Sequence, residues 1–261
     1  MNNYSMKNEI KKRVFHYSTN IKNYLFGSEK YCIVCNRSFH SFKPYNNVPD
    51  SKIFKENHII GAGYRKNYMC PYCETIDRER WQQYVITNHT NILTKQSRVL
   101  HFAPEKNIYD ILHHNCKTDY YPCDILPWDN FLKIDITNIP FQNNYFDYVI
   151  TNHVLEHVKN ENEAVKEVMR VLKKDGTWIF SFPICTNAIT FEDDSITEPS
   201  SRLNYFGQID HVRLYGNDYI ERFQIYGLSI KIFQPADELS DEIIEKNGFI
   251  PDDTIIFAKK N

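Results

Sequence analysis

Two C-x-x-C pairs, Cys32-Ile33-Val34-Cys35 and Cys70-Pro71-Tyr72-Cys73, are the clearest concentration of reactive side chains in this sequence. Each pair can place two thiolates on one ion from a tight knuckle. Two knuckles complete a tetrahedral site with zinc–sulfur distances of about 2.3 Å. The 34 residues between the pairs leave room for the loops of a ribbon. Four protein ligands close such a site, so the zinc expected here is structural, and its binding supplies folding free energy to residues 31–74. A redox pair, or unrelated cysteines, is the alternative. His40 and His58, between the pairs, are expected in surface or packing roles rather than on the metal.

A second group is Asp210-His211-Val212-Arg213. An aspartate can orient and charge a histidine, and an arginine can grip an anion with two parallel hydrogen bonds. The bland alternative is a histidine that merely holds its loop together. Arg78 and Arg80, just after the second knuckle, could face a cleft and bind phosphate, or could form a solvated helix face paired with Asp77 and Glu79. A third feature is the stretch Arg98-Val99-Leu100-His101-Phe102-Ala103-Pro104-Glu105, which reads as a strand ending in a small-residue turn before a helix. That outline suits a nucleotide-like ligand, although such turns normally carry glycine and this one has none. Asp124 lies 19 residues after Glu105, the place for a ribose-binding acid at the end of a second strand.

The elements that must position these groups alternate. Strands are expected at about 98–102, 118–122, 131–134, 146–151, 176–182, 228–233 and 254–258, and helices at about 105–115, 160–173 and 217–226. Strands separated by helices predict a doubly wound α/β sheet. Before it, residues 1–30 read as a helical segment (Met6, Ile10 and Val14 on one face, Ile21 and Leu25 on another), 31–74 as the zinc ribbon, and 75–97 as a linker helix. The domain proper is expected over 98–261. Residues 186–215 show no clean periodicity, and the stretch 186–206 could form a lid.

The order Asp135-x-x-x-x-Pro140-Phe141, Phe146-Asp147, His153-Val154-Leu155-Glu156-His157 and Arg170-Val171-Leu172-Lys173-x-x-Gly176 resembles class I methyltransferases that use S-adenosylmethionine. More narrowly, the chain resembles a bacterial subgroup with a cysteine-knuckle module, an L-H-F-A-P-E first motif and a late G-Q-x-D-H-V-R segment, here Gly207 to Arg213. The resemblance implies a Rossmann-like seven-stranded sheet. It also implies a cofactor site of Phe102, Ala103, Pro104, Glu105, Asp124, Asp135, Ile136, Asn152 and His153. In it Asp124 would hold the ribose hydroxyls, Asp135 with the Ile136 backbone would meet adenine, and Asn152 and His153 would sit near the methionine part. Ala103 is small enough for close approach and Pro104 can fix the bend. Methyl transfer needs an in-line nucleophile, exclusion of water and often a base. The candidate bases are His153, Glu156, His157 and His211, with Arg78, Arg80, Asp210 and Arg213 on the acceptor. The implied acceptor is a small or nucleotide-activated precursor, methylated on a sugar or phosphate-type oxygen, in surface (capsule) polysaccharide biosynthesis.

Composition narrows the classes. Of 261 residues, 42% are hydrophobic and 25% charged, which suits a globular chain with a substantial core. The net charge of −2 argues against a general electrostatic grip on nucleic acid. No long apolar run is present, so no membrane span is expected, and the charged N-terminus lacks a signal peptide's apolar stretch. Cytoplasmic location is the default, and the zinc module could also form a homodimer contact. Two other readings are a zinc-ribbon methyltransferase directed at RNA or protein, and a non-catalytic scaffold, the latter prompted by the missing glycines.

Overall fold

Val99, Ile150, Ile179 and Phe257 point into one apolar core, while their neighbours Leu100, Val149, Trp178 and Ala258 point into another. This is the period-two alternation of strands buried on both faces. A computed structural model describes residues 24–48, 51–115, 117–127 and 130–260. Its central sheet has seven strands: β1 (Ser97–Phe102), β2 (Thr118–Asp124), β3 (Leu132–Lys133), β4 (Phe146–Asn152), β5 (Leu172–Ser181), β6 (Leu228–Phe233) and β7 (Ile255–Lys260). They lie in the order β6-β7-β5-β4-β1-β2-β3. Pairing is parallel from β5 to β3, and β7 runs antiparallel to both β5 and β6. The strand order reverses between β1 and β4, and in open α/β sheets ligands bind beyond the carboxyl ends of the strands at that point.

Helices cover both faces. Asp77–His89, Lys106–His113 and Asp241–Asn247 pack on one side through Trp81, Val85, Ile108, Leu112 and Ile244. Glu161–Val171 and Tyr219–Gln224 pack on the other through Ala164, Val165, Val168 and Phe223. The helix expected as a linker is therefore part of the sheet's packing, with Trp81 and Val85 fully buried. Residues 186–215 are less irregular than their sequence suggests. Phe191–Glu192 pairs antiparallel with Arg213–Leu214, and the helix Pro199–Phe206 lies between them. The helical reading of residues 1–23, and Cys116, lie outside the described residues. No helix among the described residues is long and apolar enough to cross a membrane.

The cysteine segment is stitched to the sheet rather than hung from it. Lys43–Tyr45 pairs with Arg65–Met69, and Ile59–Ile60 pairs with Ile184–Cys185, just beyond the end of β5. Arg80 fastens the junction. Its buried guanidinium stacks over Phe42 at 4.0 Å and donates to five backbone carbonyls, those of Asn67, Tyr68, Thr75, Asn247 and Gly248, at 2.6–3.1 Å. Every N–H of that side chain is thus spent on structure. This corrects the expectation that Arg80 faces a cleft.

Candidate functional site

Two cavities meet at the carboxyl ends of β1 and β4. The larger, of about 660 Å³, is walled by Phe102, Ala103, Asp124, Asp135, Ile136 and His153. The glycine-free turn that opens it works because Ala103 itself takes the left-handed conformation, at φ 46°. Its N–H donates to the Cys123 carbonyl at 2.8 Å, which locks the turn to β2. Pro104 is buried behind it. Asp124 and Asp135 each use Oδ1 to cap their own turn, toward the Leu126 and Thr137 amides at 2.9 and 2.8 Å, and each still lines the cavity. Asn152 is buried, accepts from Ser181 Oγ at 3.1 Å, and leaves its Nδ2 without a partner. Glu105 is turned away from the cavity wall. Burial opposes its charge, but His101, whose Nε2 lies 3.4 Å from Oε2, outweighs that and holds the carboxyl below its ordinary range. Sequence reasoning missed Ile125, Val154 and Val158, apolar lining side chains whose type gave no chemical signal.

The smaller cavity, of about 110 Å³, lies across His153 from the larger one and is lined by Tyr45, Gly61, Arg65, Arg78, His153 and His211 among others. His153 belongs to both walls. Its backbone is left-handed, at φ 52°, an uncommon conformation for a side chain of this size. Nδ1 lies 3.1 Å from Oε1 of Glu156, a carboxylate only 1% exposed. With the proton on Nδ1, Nε2 keeps its lone pair. Burial pushes the His153 pKa down, with the Arg78 charge adding to it, while Glu156 pulls the other way and loses. Burial pushes the Glu156 pKa up, but the His153 contact together with His211 and His157 outweighs it and holds the carboxyl below its ordinary range. Gly61 lies beside this ring, in a left-handed conformation that favours glycine. At φ 79°, a Cβ there would stand 3.5 Å from His153 Cε1.

The Asp210-His211-Arg213 group does not assemble as its spacing suggests. His211 is buried and its Nδ1 meets the Phe206 carbonyl at 3.0 Å, so Asp210 is not its partner. Asp210 instead reaches His157 Nδ1 at 3.2 Å and lines the larger cavity. Arg213 is also a correction. Its guanidinium is buried and donates to the Leu155, Val158 and Lys159 carbonyls and to Glu192, fixing the turn after His153. Arg78 remains on the cavity wall with a buried Nε that has no partner.

The four cysteine sulfurs converge. Cys32 and Cys73 are 3.7 Å apart, Cys35 and Cys70 3.8 Å, and all four lie within 4.8 Å of one another. A tetrahedron with bonds of about 2.3 Å has edges of about 3.8 Å, and a disulfide would need about 2.05 Å. The two knuckles share one geometry. Asn36 and Glu74, each following the second cysteine, are left-handed at φ 55° and 61°, and their amides reach back to the Cys32 and Cys70 carbonyls at 2.9 and 3.1 Å. Burial, then the neighbouring sulfurs of Cys70 and Cys73, push the Cys35 thiol up to about 12, a penalty that a dication removes. The donor set and spacing fit zinc. His40 faces Glu29 and His58 faces Asp252, away from the cluster.

Residues 89–180 match the family described as a methyltransferase domain. Among solved structures, the YcgJ protein from Bacillus subtilis is 16% identical, with 69% of this chain and 97% of that chain covered at a TM-score of 0.46. A SAM-dependent methyltransferase from Archaeoglobus fulgidus is 18% identical over 70% and 94% of the two chains, at 0.46. The [4+2]-cyclase SpnF is 13% identical over 70% and 81%, at 0.49. No curated protein matches the chain.

Proposed function

We propose, from the premise that this chain carries a class I S-adenosylmethionine-dependent methyltransferase domain, that it methylates an oxygen of a small acceptor bearing an anionic group. The observation that carries this reading is His153, which faces both cavities with its ring oriented by buried Glu156.

The larger cavity suits the cofactor in size, since small-molecule sites run to about 300–1,000 Å³. Asp124 and Asp135 offer the free carboxylate oxygens that ribose hydroxyls and an adenine edge require. Bound there, S-adenosylmethionine would supply an electrophilic methyl group on a sulfonium. The chain's own work is positional and acid–base. The smaller cavity would receive the acceptor hydroxyl or phosphate-type oxygen. His153 Nε2 would take its proton, with Glu156 stabilising the charged ring. Arg78, with its unsatisfied buried Nε, would hold the acceptor's anion, and Arg65 borders the same cavity. A sugar or nucleotide-activated precursor of a surface polysaccharide satisfies both demands, a hydroxyl and a phosphate.

The test is calorimetric titration with S-adenosylhomocysteine, followed by methyl-transfer assays on phosphorylated and nucleotide-linked sugars. Micromolar binding and transfer that depends on the acceptor's phosphate support the reading. No binding by folded, zinc-loaded protein overturns it.

A further inference from the structure

Glu156, His157 and His211 bring one carboxylate oxygen and one nitrogen from each ring within 4.8 Å of one another. Chain geometry fixes this meeting. Glu156 and His157 sit in the single turn Leu155–His157, and the Val212 amide donates to the Glu156 carbonyl at 2.9 Å, which pins His211 against that turn. The His157 and His211 rings stand nearly perpendicular, with centroids 4.6 Å apart.

We infer that these three residues hold a divalent first-row transition cation at the edge of the acceptor cavity, separate from the cysteine site. Three observations point to a ligand. First, Glu156 is buried and only Oε1 is used, by His153, so Oε2 has no partner. Burying a carboxylate oxygen without a partner is costly, and a cation removes that cost. Second, both histidines have Nδ1 engaged by an acceptor: the Asp210 carboxylate for His157, and the Phe206 carbonyl for His211. That is the arrangement by which proteins orient a metal-ligating imidazole, and it leaves Nε2 of each ring available to an ion. Third, two imidazoles and one carboxylate suit zinc, manganese or iron(II), and leave positions open for water or substrate. His157 is 34% exposed on its side chain, so an ion can reach the site from solvent. Bonds of about 2.0–2.2 Å need donor separations near 3.4 Å, so binding would draw the three groups together by at most about 1.4 Å.

His211 lines the acceptor cavity and His157 the cofactor cavity, so a cation between them would lie within reach of an acceptor oxygen. That role rests on the proposed acceptor site, but binding of the ion does not.

The test uses the full chain with its cysteine site loaded with zinc, titrated with Mn²⁺ or Co²⁺ alone and read by calorimetry and by Co²⁺ visible absorption. The expected result is one further ion per chain, with imidazole-type rather than thiolate-type Co²⁺ bands. His157→Ala should weaken binding at least tenfold, and Asp210→Asn by about 10–100-fold, the usual cost of losing a group that orients a ligand. Both residues are partly or largely exposed, so both variants should fold. No second ion at millimolar Mn²⁺ or Co²⁺ overturns the inference, as does second-ion binding that His157→Ala leaves unchanged. S-adenosylhomocysteine titration of the same samples separates these outcomes from failure of the methyltransferase reading.

Discussion

Ala103 and His153 both hold left-handed backbone, at φ 46° and 52°, and both line the cavity at the ends of β1 and β4. Each is the residue after a sheet strand ends, where the chain turns sharply at the cavity wall. Left-handed backbone costs an L-residue about 1–2 kcal/mol, and such strain persists where the surroundings over-determine it.

The first prediction follows from Ala103. Ala103→Gly should leave S-adenosylhomocysteine affinity intact and stability within about 1 kcal/mol, because relief of strain offsets the added freedom of the unfolded chain. Ala103→Val puts a β-branched side chain into a conformation it resists, on the cavity wall. Its affinity should fall at least about tenfold, a difference of about 1.4 kcal/mol. Calorimetric titration of the two variants checks this, and equal affinities would mean that the turn does not contact the cofactor.

The second concerns pH. Burial, reinforced by Arg78, lowers the His153 pKa below the ordinary value of about 6.5. If the neutral ring is the base, as proposed, kcat/KM should be flat above about pH 6.5 and fall as pH drops through the lowered pKa. Stability has the same sign. Below about 6.5 the unfolded chain binds a proton at this position that the folded chain refuses, so stability declines as pH falls toward the folded value. His153→Gln should reduce kcat by about 10²–10⁴-fold and change the acid limb, with cofactor binding retained. An unaltered pH–rate profile in that variant would remove His153 as the base.

The sheet was legible because its strands are apolar runs separated by helical periods, and the cysteine site because C-x-x-C spacing has few other uses. β5 starts at Leu172, earlier than its apolar run suggests, with a shift of register between Leu172 and Thr177. The arginines were the hard case. Arg78 and Arg80 are two positions apart on one helix and look alike as text, yet one lines a cavity and the other is buried among carbonyls. Which face of the helix is wet depends on Phe42, Asn67 and Gly248, far away in sequence. In the same way, Asp210 precedes His211 but serves His157, because His211 turns its Nδ1 to Phe206.

That difference gives a third prediction. Arg80→Met should cost about 3–5 kcal/mol, since five backbone carbonyls, those of Thr75, Asn247 and Gly248 buried, lose their donor, and Arg80→Lys should recover little of it. Arg78→Ala should cost little stability but raise the acceptor KM about tenfold or more, the worth of a charge-assisted hydrogen bond. Thermal melts and steady-state kinetics on the pair decide. A stable Arg80→Met, or an Arg78→Ala with unchanged KM, would contradict the assignment of the two roles.

The fourth prediction concerns the cysteine site, whose segment supplies Tyr45, Gly61 and Arg65 to the smaller cavity and nothing to the larger one. Zinc removal should therefore separate the two binding events. At a temperature well below unfolding, chelation, or Cys32→Ser with Cys70→Ser, should leave S-adenosylhomocysteine binding largely intact. Transfer should fall by about a hundredfold, because a displaced wall misplaces the acceptor. Restoring zinc to the chelated protein should restore transfer. Metal analysis should show loss of a thiolate-bound ion, and the unfolding midpoint should drop, since binding at such a site contributes to folding. If cofactor affinity and transfer instead fell in step, the cysteine segment would be supporting the whole sheet, through the pairing of Ile59–Ile60 with Ile184–Cys185 and the Arg80 clamp. The acceptor wall would then not be its particular charge.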